Sequence, residues 1–275
     1  MTTGVRFKDF RRSASVIVLL MGVATISCTT GSEMASRSAR LSKAQGLFAE
    51  RCKSSGEKIY QTVHGVDGIL LLKRRPENSN FYDQFALNDP YGNDAGGDRY
   101  VETFLRGGFE TSPLGSGLHS HIGYSYVDAM EDYGIRYRYT GGVREVERTD
   151  SILMGGTGKT FTTSAYVVDR VVATAAQPRY AVSYEDVSTR EEREYWIAGS
   201  SLKIIDLQTN EVIAERLGFM MDLGQGSQAH GRAPWQYAAN NACPAFSMGQ
   251  HAWLAQLGAA DKFVEKVVQP RQGQQ

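Results

Sequence analysis

Two histidines stand at a spacing that could hold a metal ion. His119 and His121 are separated by one residue, and in a β-strand such residues point to the same face of the sheet. Two imidazoles on one face form part of the ligand set of some zinc sites. The alternative, which we favour, is that this pair is only the polar start of a strand after the glycine-rich bend at residues 115–117.

A long connection, Gly224–Trp235, combines three glycines with side chains that often contact ligands. From a mobile loop of this kind, His230, Arg232 and Trp235 could bind a ligand or a partner. The same residues also suit a purely structural connection in which Trp235 is buried in the core. We favour the structural interpretation, and the binding role of the three residues is kept as a hypothesis.

The loop Asn88–Asp98 could hold calcium, because carboxylate and amide oxygens are the ligands that this hard cation prefers. The candidate ligands are Asp89, Asn93, Asp94 and Asp98. The spacing of an EF-hand is absent. The segment therefore predicts a solvated surface loop rather than a calcium site.

Two further motifs share letters with catalytic signatures but lack their context. The last residues of the stretch 154–160 match the end of the phosphate-binding loop pattern. Leu153, however, occupies the position at which that pattern requires its first glycine. The strand-like residues that follow predict a glycine-rich hairpin turn and no bound nucleotide. Ser200 and Lys203 have the spacing of a serine acyl-enzyme, but in a strand they point to opposite faces. No cofactor is expected, and the sequence favours a non-catalytic protein over an enzyme.

The first 27 residues have the pattern of a secretory signal peptide. A basic start, which includes Arg6 and Arg11, precedes an uncharged run from Ser13 to Ser27. The apolar block within that run is too short to span a bilayer as a mature helix. A basic segment, a short apolar segment and small residues at the end together predict export and cleavage.

The end of this leader reads Thr25-Ile26-Ser27-Cys28. It resembles the lipobox of bacterial lipoproteins, in which a small residue precedes a cysteine that becomes the lipidated N-terminus. Thr25 stands where that family usually has leucine. The resemblance implies a signal peptide over residues 1–27, acyl chains such as palmitate on Cys28, and a membrane contact made through those chains. Thr29 in place of aspartate implies the outer membrane, with the protein facing the periplasm.

The net charge of the mature chain does not favour binding to nucleic acid. The full chain of 275 residues has 30 basic and 30 acidic side chains. Loss of residues 1–27 removes more basic than acidic groups, so the mature chain is mildly acidic. A general nucleic-acid binder would instead carry a basic surface.

The cysteine count also agrees with export. Of the three cysteines, Cys28 is assigned to lipid, which leaves Cys52 and Cys243. A pair of cysteines in an oxidising compartment predicts a disulfide. The alternative is two unrelated buried thiols.

The periodicity of apolar residues predicts one α+β domain over residues 41–275, after a flexible polar tether at residues 28–40. Helical spacing marks residues 41–53 and 250–268, and Thr189 with Glu192 forms a capping-box pattern. Gly141 and Gly142 predict a turn between two strands. The predicted strands are 58–63, 68–73, 117–130, 135–140, 143–148, 161–173, 180–187, 196–207 and 211–221. They predict a large, mostly antiparallel sheet of about seven to nine strands with a helix near each end of the mature chain.

The lipobox resemblance covers about a tenth of the chain and specifies an anchor, not an activity. We therefore predict a non-catalytic, lipid-anchored envelope protein that binds another envelope component or an incoming protein. The alternative is a periplasmic metal-dependent enzyme that uses His119 and His121.

Overall fold

The computed structural model describes residues 32–78, 80–86, 89–92, 96–107, 123–150, 155–246 and 252–271. The leader with Cys28 lies outside these ranges, and so do His119 and His121. The chain separates into two compact units, Met1–Leu47 and Phe48–Gln275. The second unit contains all the strands described below.

The first helix begins earlier than predicted. Helix α1 covers residues 32–52, so residues 32–40, which we expected to belong to a flexible tether, are helical. The physical reason is that this stretch contains neither glycine nor proline and is rich in alanine, arginine and other good helix formers. Every residue from 32 to 40 is exposed. The lack of apolar periodicity therefore marked an exposed helix rather than a coil.

The second unit is an α+β domain, as predicted. After α1 the helices are α2 (Asp98–Arg106), α3 (Arg190–Glu194), α4 (Pro234–Ala238), α5 (Ala252–Gln256) and α6 (Ala259–Val267). The strands are β1 (Gly56–Ile59), β2 (Val63–Val66), β3 (Gly68–Leu71), β4 (Tyr126–Met130), β5 (Arg136–Thr149), β6 (Thr160–Val172), β7 (Tyr180–Asp186), β8 (Ile197–Asp206), β9 (Glu211–Met221), β10 (Ala242–Cys243) and β11 (Val268–Pro270).

The main sheet has nine strands in the order β1-β9-β8-β7-β3-β4-β5-β6, and β10 also pairs with β9. Strand β3 runs parallel to β4 and β7, and the other pairs are antiparallel. All four residues of β3 are buried, because a parallel strand at the centre of a sheet is covered on both faces. Strands β2 and β11 form a separate parallel pair.

The core lies between one face of this sheet and helices α2 and α6. Helix α2 buries Tyr100 and Phe104, and α6 buries Phe263 and Val267, in one cluster with residues of β3, β4, β7 and β8. Each such fully buried large side chain contributes roughly 1.5–3 kcal/mol relative to an exposed one. Helix α2 was not predicted. It has only nine residues, and its first residue, Asp98, had been assigned to the preceding loop, which is rich in glycine and asparagine.

The predicted turn at Gly141 and Gly142 is wrong. Both glycines lie inside β5, where Gly141 is opposite Val168 of β6. A Cβ atom at Gly141 would lie 2.4 Å from the Tyr166 hydroxyl oxygen, so the glycine makes room for an aromatic ring on the neighbouring strand. The two predicted strands of 135–148 are therefore one strand.

The chain turns back instead between residues 150 and 159. The backbone N–H of Asp150 donates to the carbonyl of Lys159 at 3.0 Å. Gly155 and Gly158 have φ angles of 81° and 71° there, a region that glycine adopts without a steric cost. The glycine-rich hairpin turn predicted over residues 154–160 is thus confirmed, with residues 151–154 outside the described part.

Other predicted elements differ in their bounds. The predicted C-terminal helix is divided into α5 and α6 on either side of Gly258, because glycine disfavours the interior of a helix. Strand β2 covers Val63–Val66, most of which lies between the predicted strands 58–63 and 68–73. The capping box is confirmed, because the N–H of Glu192 donates to Thr189 Oγ1 at 3.1 Å and the N–H of Thr189 donates to Glu192 Oε2 at 2.6 Å.

Candidate functional site

The predicted disulfide between Cys52 and Cys243 is confirmed. It joins the last turn of α1 to β10, with Cα atoms 5.6 Å apart across 191 residues of sequence. Cys243 is opposite Phe219 of β9, and the Arg51 guanidinium lies 4.5 Å from the centre of the same ring. The bond therefore fastens the start of the second unit to the sheet.

The connection Gly224–Trp235 is held in one conformation. Trp235 is 1% exposed, and its indole N–H donates to the carbonyl of Asp83 at 2.9 Å. The Arg232 guanidinium donates to the carboxylate of Asp222, which is wholly buried. The backbone N–H groups of Gly224 and Gly226 donate to that carboxylate at 2.9 and 2.8 Å.

Of the three binding candidates in this connection, His230 is the exposed one. Its φ angle is 58°, and it stands at the tip of the turn. Arg232 and Trp235 are used in the packing just described. This is the arrangement expected of a structural connection, so the segment does not offer three free side chains to a ligand.

A second polar cluster lies in the core beside β8. Asp89 and Arg75 are 1% and 3% exposed, and Arg75 Nη1 donates to Asp89 Oδ2 at 3.2 Å. Ser200 Oγ donates to the same carboxylate oxygen at 2.7 Å, and the N–H of Gly92 donates to Oδ1 at 2.9 Å. Asp89 therefore neutralises a buried cation and is not presented to calcium.

Aromatic rings close this cluster. The Arg75 guanidinium lies 4.0 Å from the centre of the Tyr184 ring. Burial raises the pKa of Tyr184 to about 12, so its hydroxyl stays protonated and donates to the carbonyl of Arg74 at 3.2 Å. A Cβ atom at Gly92 would lie 2.3 Å from Arg75 Nη2. Glycine at position 92 therefore lets Arg75 pack against this loop, and the contacts described for the cluster are structural.

The other candidate ligands and nucleophiles within the described residues do not converge. Asp98 pairs with Arg74 at 2.7 Å, and Asn93 and Asp94 lie outside the described residues. Ser200 points to Asp89, while Lys203 lies near Glu215 on the other face of β8, as expected for a strand. Among the described residues, no group of three or more His, Cys, Asp or Glu side chains could hold a metal ion. The metal-dependent enzyme stays a prediction, since His119 and His121 lie outside that part.

The hairpin of β5 and β6 is an exposed feature of the second unit. Strand β4 pairs with β5 only as far as Tyr139. Beyond that point, among the described strands, β5 pairs only with β6, so the hairpin continues as a two-stranded ribbon over residues 141–149 and 160–168. Nine residues at about 3.3 Å each extend about 30 Å. Val143 is 60% exposed and Phe161 46%, and a two-stranded ribbon is only marginally stable alone.

The hydrogen-bond register shows which backbone groups of β6 are open. The N–H of Ala173 donates to the carbonyl of Arg136 at 2.9 Å, and the N–H of Asp150 donates to Lys159 at 3.0 Å. Antiparallel strands alternate between bonded and non-bonded pairs, so odd-numbered residues of β6 face β5. The even-numbered residues point their N–H and C=O groups outward. They are Thr160, Thr162, Ser164, Tyr166, Val168, Arg170 and Val172.

Strand β6 is the outermost strand of the main sheet. In the described part of the chain, no strand pairs with its outward side. The opposite edge is β1, which has only four residues, and a short edge strand is one common protection against unwanted pairing. Strand β6 has 13 residues, contains neither proline nor glycine, and carries only Asp169 and Arg170 as charged side chains. It is an open template for another strand.

Side chains at the base hold this hairpin to the domain. Tyr166 packs against the core cluster, and the Arg106 guanidinium lies 5.3 Å from its ring centre. Arg170 pairs with Glu131 at 3.2 Å. The sequence predicted the strand at 161–173 but carried no signal that it lies at the edge, because that depends on which strands pair elsewhere.

The fold and this surface define an α+β protein with a mixed sheet, in which β6 is a long edge without a partner among the described strands. Comparison with known proteins gave no matching family model, no matching characterised protein and no matching solved structure. No helix in the described ranges is both long and apolar enough to cross a membrane. What the protein binds must therefore be inferred from the chemistry of its own surface.

Proposed function

We propose that this protein is a non-catalytic, lipid-anchored protein of the bacterial envelope that binds a protein partner by strand addition to β6. The observation that carries the proposal is the row of seven outward-facing residues of β6 at the open edge of the sheet. In strand addition, main-chain hydrogen bonds supply affinity and alternate side chains supply selectivity. Strand β6 offers both, because its backbone groups are regularly spaced and its side chains alternate between two faces.

The anchor part of the proposal rests on the lipobox-like residues Thr25–Cys28. In the native protein we expect an intact mass with a lipid-sized gain on an N-terminus at Cys28, and recovery in the outer-membrane fraction. Cys28→Ala removes the acylated thiol, so the variant loses that gain. Thr29→Ala is the matched control and keeps it. A soluble product cut at another residue would contradict the lipid anchor.

Strand addition is tested with Ser164, which is exposed and has its N–H directed outward. Ser164→Pro removes one donor from the open edge but no hydrogen bond to β5. A photo-reactive amino acid at Thr162 reports contacts of the edge in intact cells. We expect Ser164→Pro to lower the yield of its protein adducts about tenfold, a factor equivalent to about 1.4 kcal/mol.

Ser164→Thr is the control for this experiment, because it keeps the N–H and favours a strand. Its adduct yield should equal that of the wild type. A second probe at Lys58 on the short edge β1 should give few adducts in any of these proteins. Unchanged adducts in Ser164→Pro, with the hairpin intact by circular dichroism, would refute binding through this edge.

A further inference from the structure

Strand β6 has a pattern that suits pairing with a copy of itself. Its odd-numbered side chains share one face of the sheet and are largely apolar; they are Phe161, Thr163, Ala165, Val167, Asp169 and Val171. The even-numbered side chains of its first half, Thr160, Thr162 and Ser164, carry hydroxyl groups on the other face. When two copies pair in antiparallel fashion through their outward residues, odd positions oppose odd positions. The largely apolar face of one copy then continues into the same face of the other, so that cross-strand pairs form between side chains of that face.

Charged residues in β6 and directly before it favour one register. A two-fold axis at Ser164 places Lys159, the residue before β6, opposite Asp169 of the second copy, and by symmetry this pair occurs twice. Asp169 already pairs with Arg144 of β5, so Lys159 would be a second cation beside that carboxylate. Phe161 is then opposite Val167, and Arg170 is opposite a glycine, so no like charges meet. Opposite charges directly across a strand pair stabilise it, and like charges destabilise it.

Neighbouring registers lose this match. An axis at residue 165 places Phe161 opposite Asp169, an apolar ring against a charge. An axis at residue 166 places Asp169 opposite Thr163 and forms no ion pair. The axis at Ser164 is therefore the one that the sequence of β6 favours.

We infer that the strand added to β6 is the β6 strand of a second copy of this chain, antiparallel about a two-fold axis at Ser164. This inference rests on the proposed strand addition. A two-fold contact uses the same surface on both copies and is closed, so the long edge is covered and association stops at a dimer. Copies confined to one membrane surface meet at a raised effective concentration, which favours such a contact.

Single cysteines test both the partner and the register. In the proposed dimer Ser164 forms a hydrogen-bonded pair with Ser164 of the second copy. Their Cα atoms are then about 5.5 Å apart, a distance that a disulfide can bridge. Residue 162 of one copy lies about 13 Å along the strand, or four residues, from residue 162 of the other copy, and the same holds for residue 166. We expect mild oxidation of the full-length chain in membranes to give at least ten times more covalent dimer for Ser164→Cys than for Thr162→Cys or Tyr166→Cys.

The wild-type chain, oxidised in parallel, shows any dimer formed through its native cysteines. A dominant crosslink at residue 162 or 166 would overturn the axis at Ser164. No dimer for Ser164→Cys, with protein adducts at Thr162 still sensitive to Ser164→Pro, would overturn the second copy while strand addition to another protein stands. Loss of the adducts as well would overturn both proposals.

Discussion

Removing the Cys52–Cys243 disulfide is expected to lower the free energy of unfolding by on the order of 4–5 kcal/mol. The bond closes a loop across 191 residues of sequence, and a long loop has much conformational freedom to regain when it is opened in the unfolded chain. It also fastens the end of α1 to β10 beside the sheet. Equilibrium unfolding in urea of the Cys52→Ser/Cys243→Ser variant measures the loss.

The matched control is Cys28→Ser, which takes away a sulfur atom that does not belong to the bond. We expect the free energy of unfolding of the second unit to be unchanged in that variant. Treatment of the wild type with a reductant should reproduce the loss seen in the double variant. A loss below about 1 kcal/mol would mean that the unfolded chain is already compact enough to make the crosslink unimportant.

Asp89→Asn is expected to destabilise the protein by about 3–5 kcal/mol, because it removes one charge of a buried ion pair and leaves Arg75 without the carboxylate that it contacts here. Both residues of the pair are almost wholly buried, and solvent screens the interaction of buried charges little. Asparagine has nearly the same volume as aspartate and tolerates the φ angle of 53° at this position. The substitution therefore changes the charge with little change in volume or backbone conformation. Thermal or urea unfolding measures the resulting loss in the free energy of unfolding.

Glu57→Gln provides the comparison at the surface. Glu57 pairs with Lys266 at 2.6 Å, but the Lys266 side chain is 58% exposed. Pairs of this kind contribute about 0–1 kcal/mol. Similar losses in Asp89→Asn and Glu57→Gln would contradict the prediction, because the buried carboxylate of Asp89 would then contribute no more to stability than an exposed one.

Local patterns in the sequence were sufficient where both partners are close along the chain. The capping box at Thr189 and Glu192 depends on residues three positions apart, and its two hydrogen bonds are present. The strands 196–207 and 211–221 were predicted from the periodicity of their own residues, and the corresponding strands β8 and β9 pair along their length. The disulfide followed from counting the cysteines that remain after Cys28.

Local patterns were misleading where the reason for a residue lies on another element. Gly141 has the composition of a turn, but it is required by the Tyr166 ring on the neighbouring strand. The polar residues from 32 to 40 resemble a coil, although their intrinsic propensities sustain a helix. Asp89 resembles a calcium ligand until Arg75 and Ser200 are placed against it.

The sequence by itself determined that the protein is α+β, where most of the long strands lie, and which cysteines pair, because alternation, propensity and cysteine number are properties of the chain. Only the tertiary structure decided that β3 is a parallel central strand and that β6 is the outer one. Strand order depends on contacts between residues far apart in sequence, and the period of two is the same for a central strand and for an edge. The open edge, and with it the candidate binding surface, became visible only when the neighbours of every described strand were known.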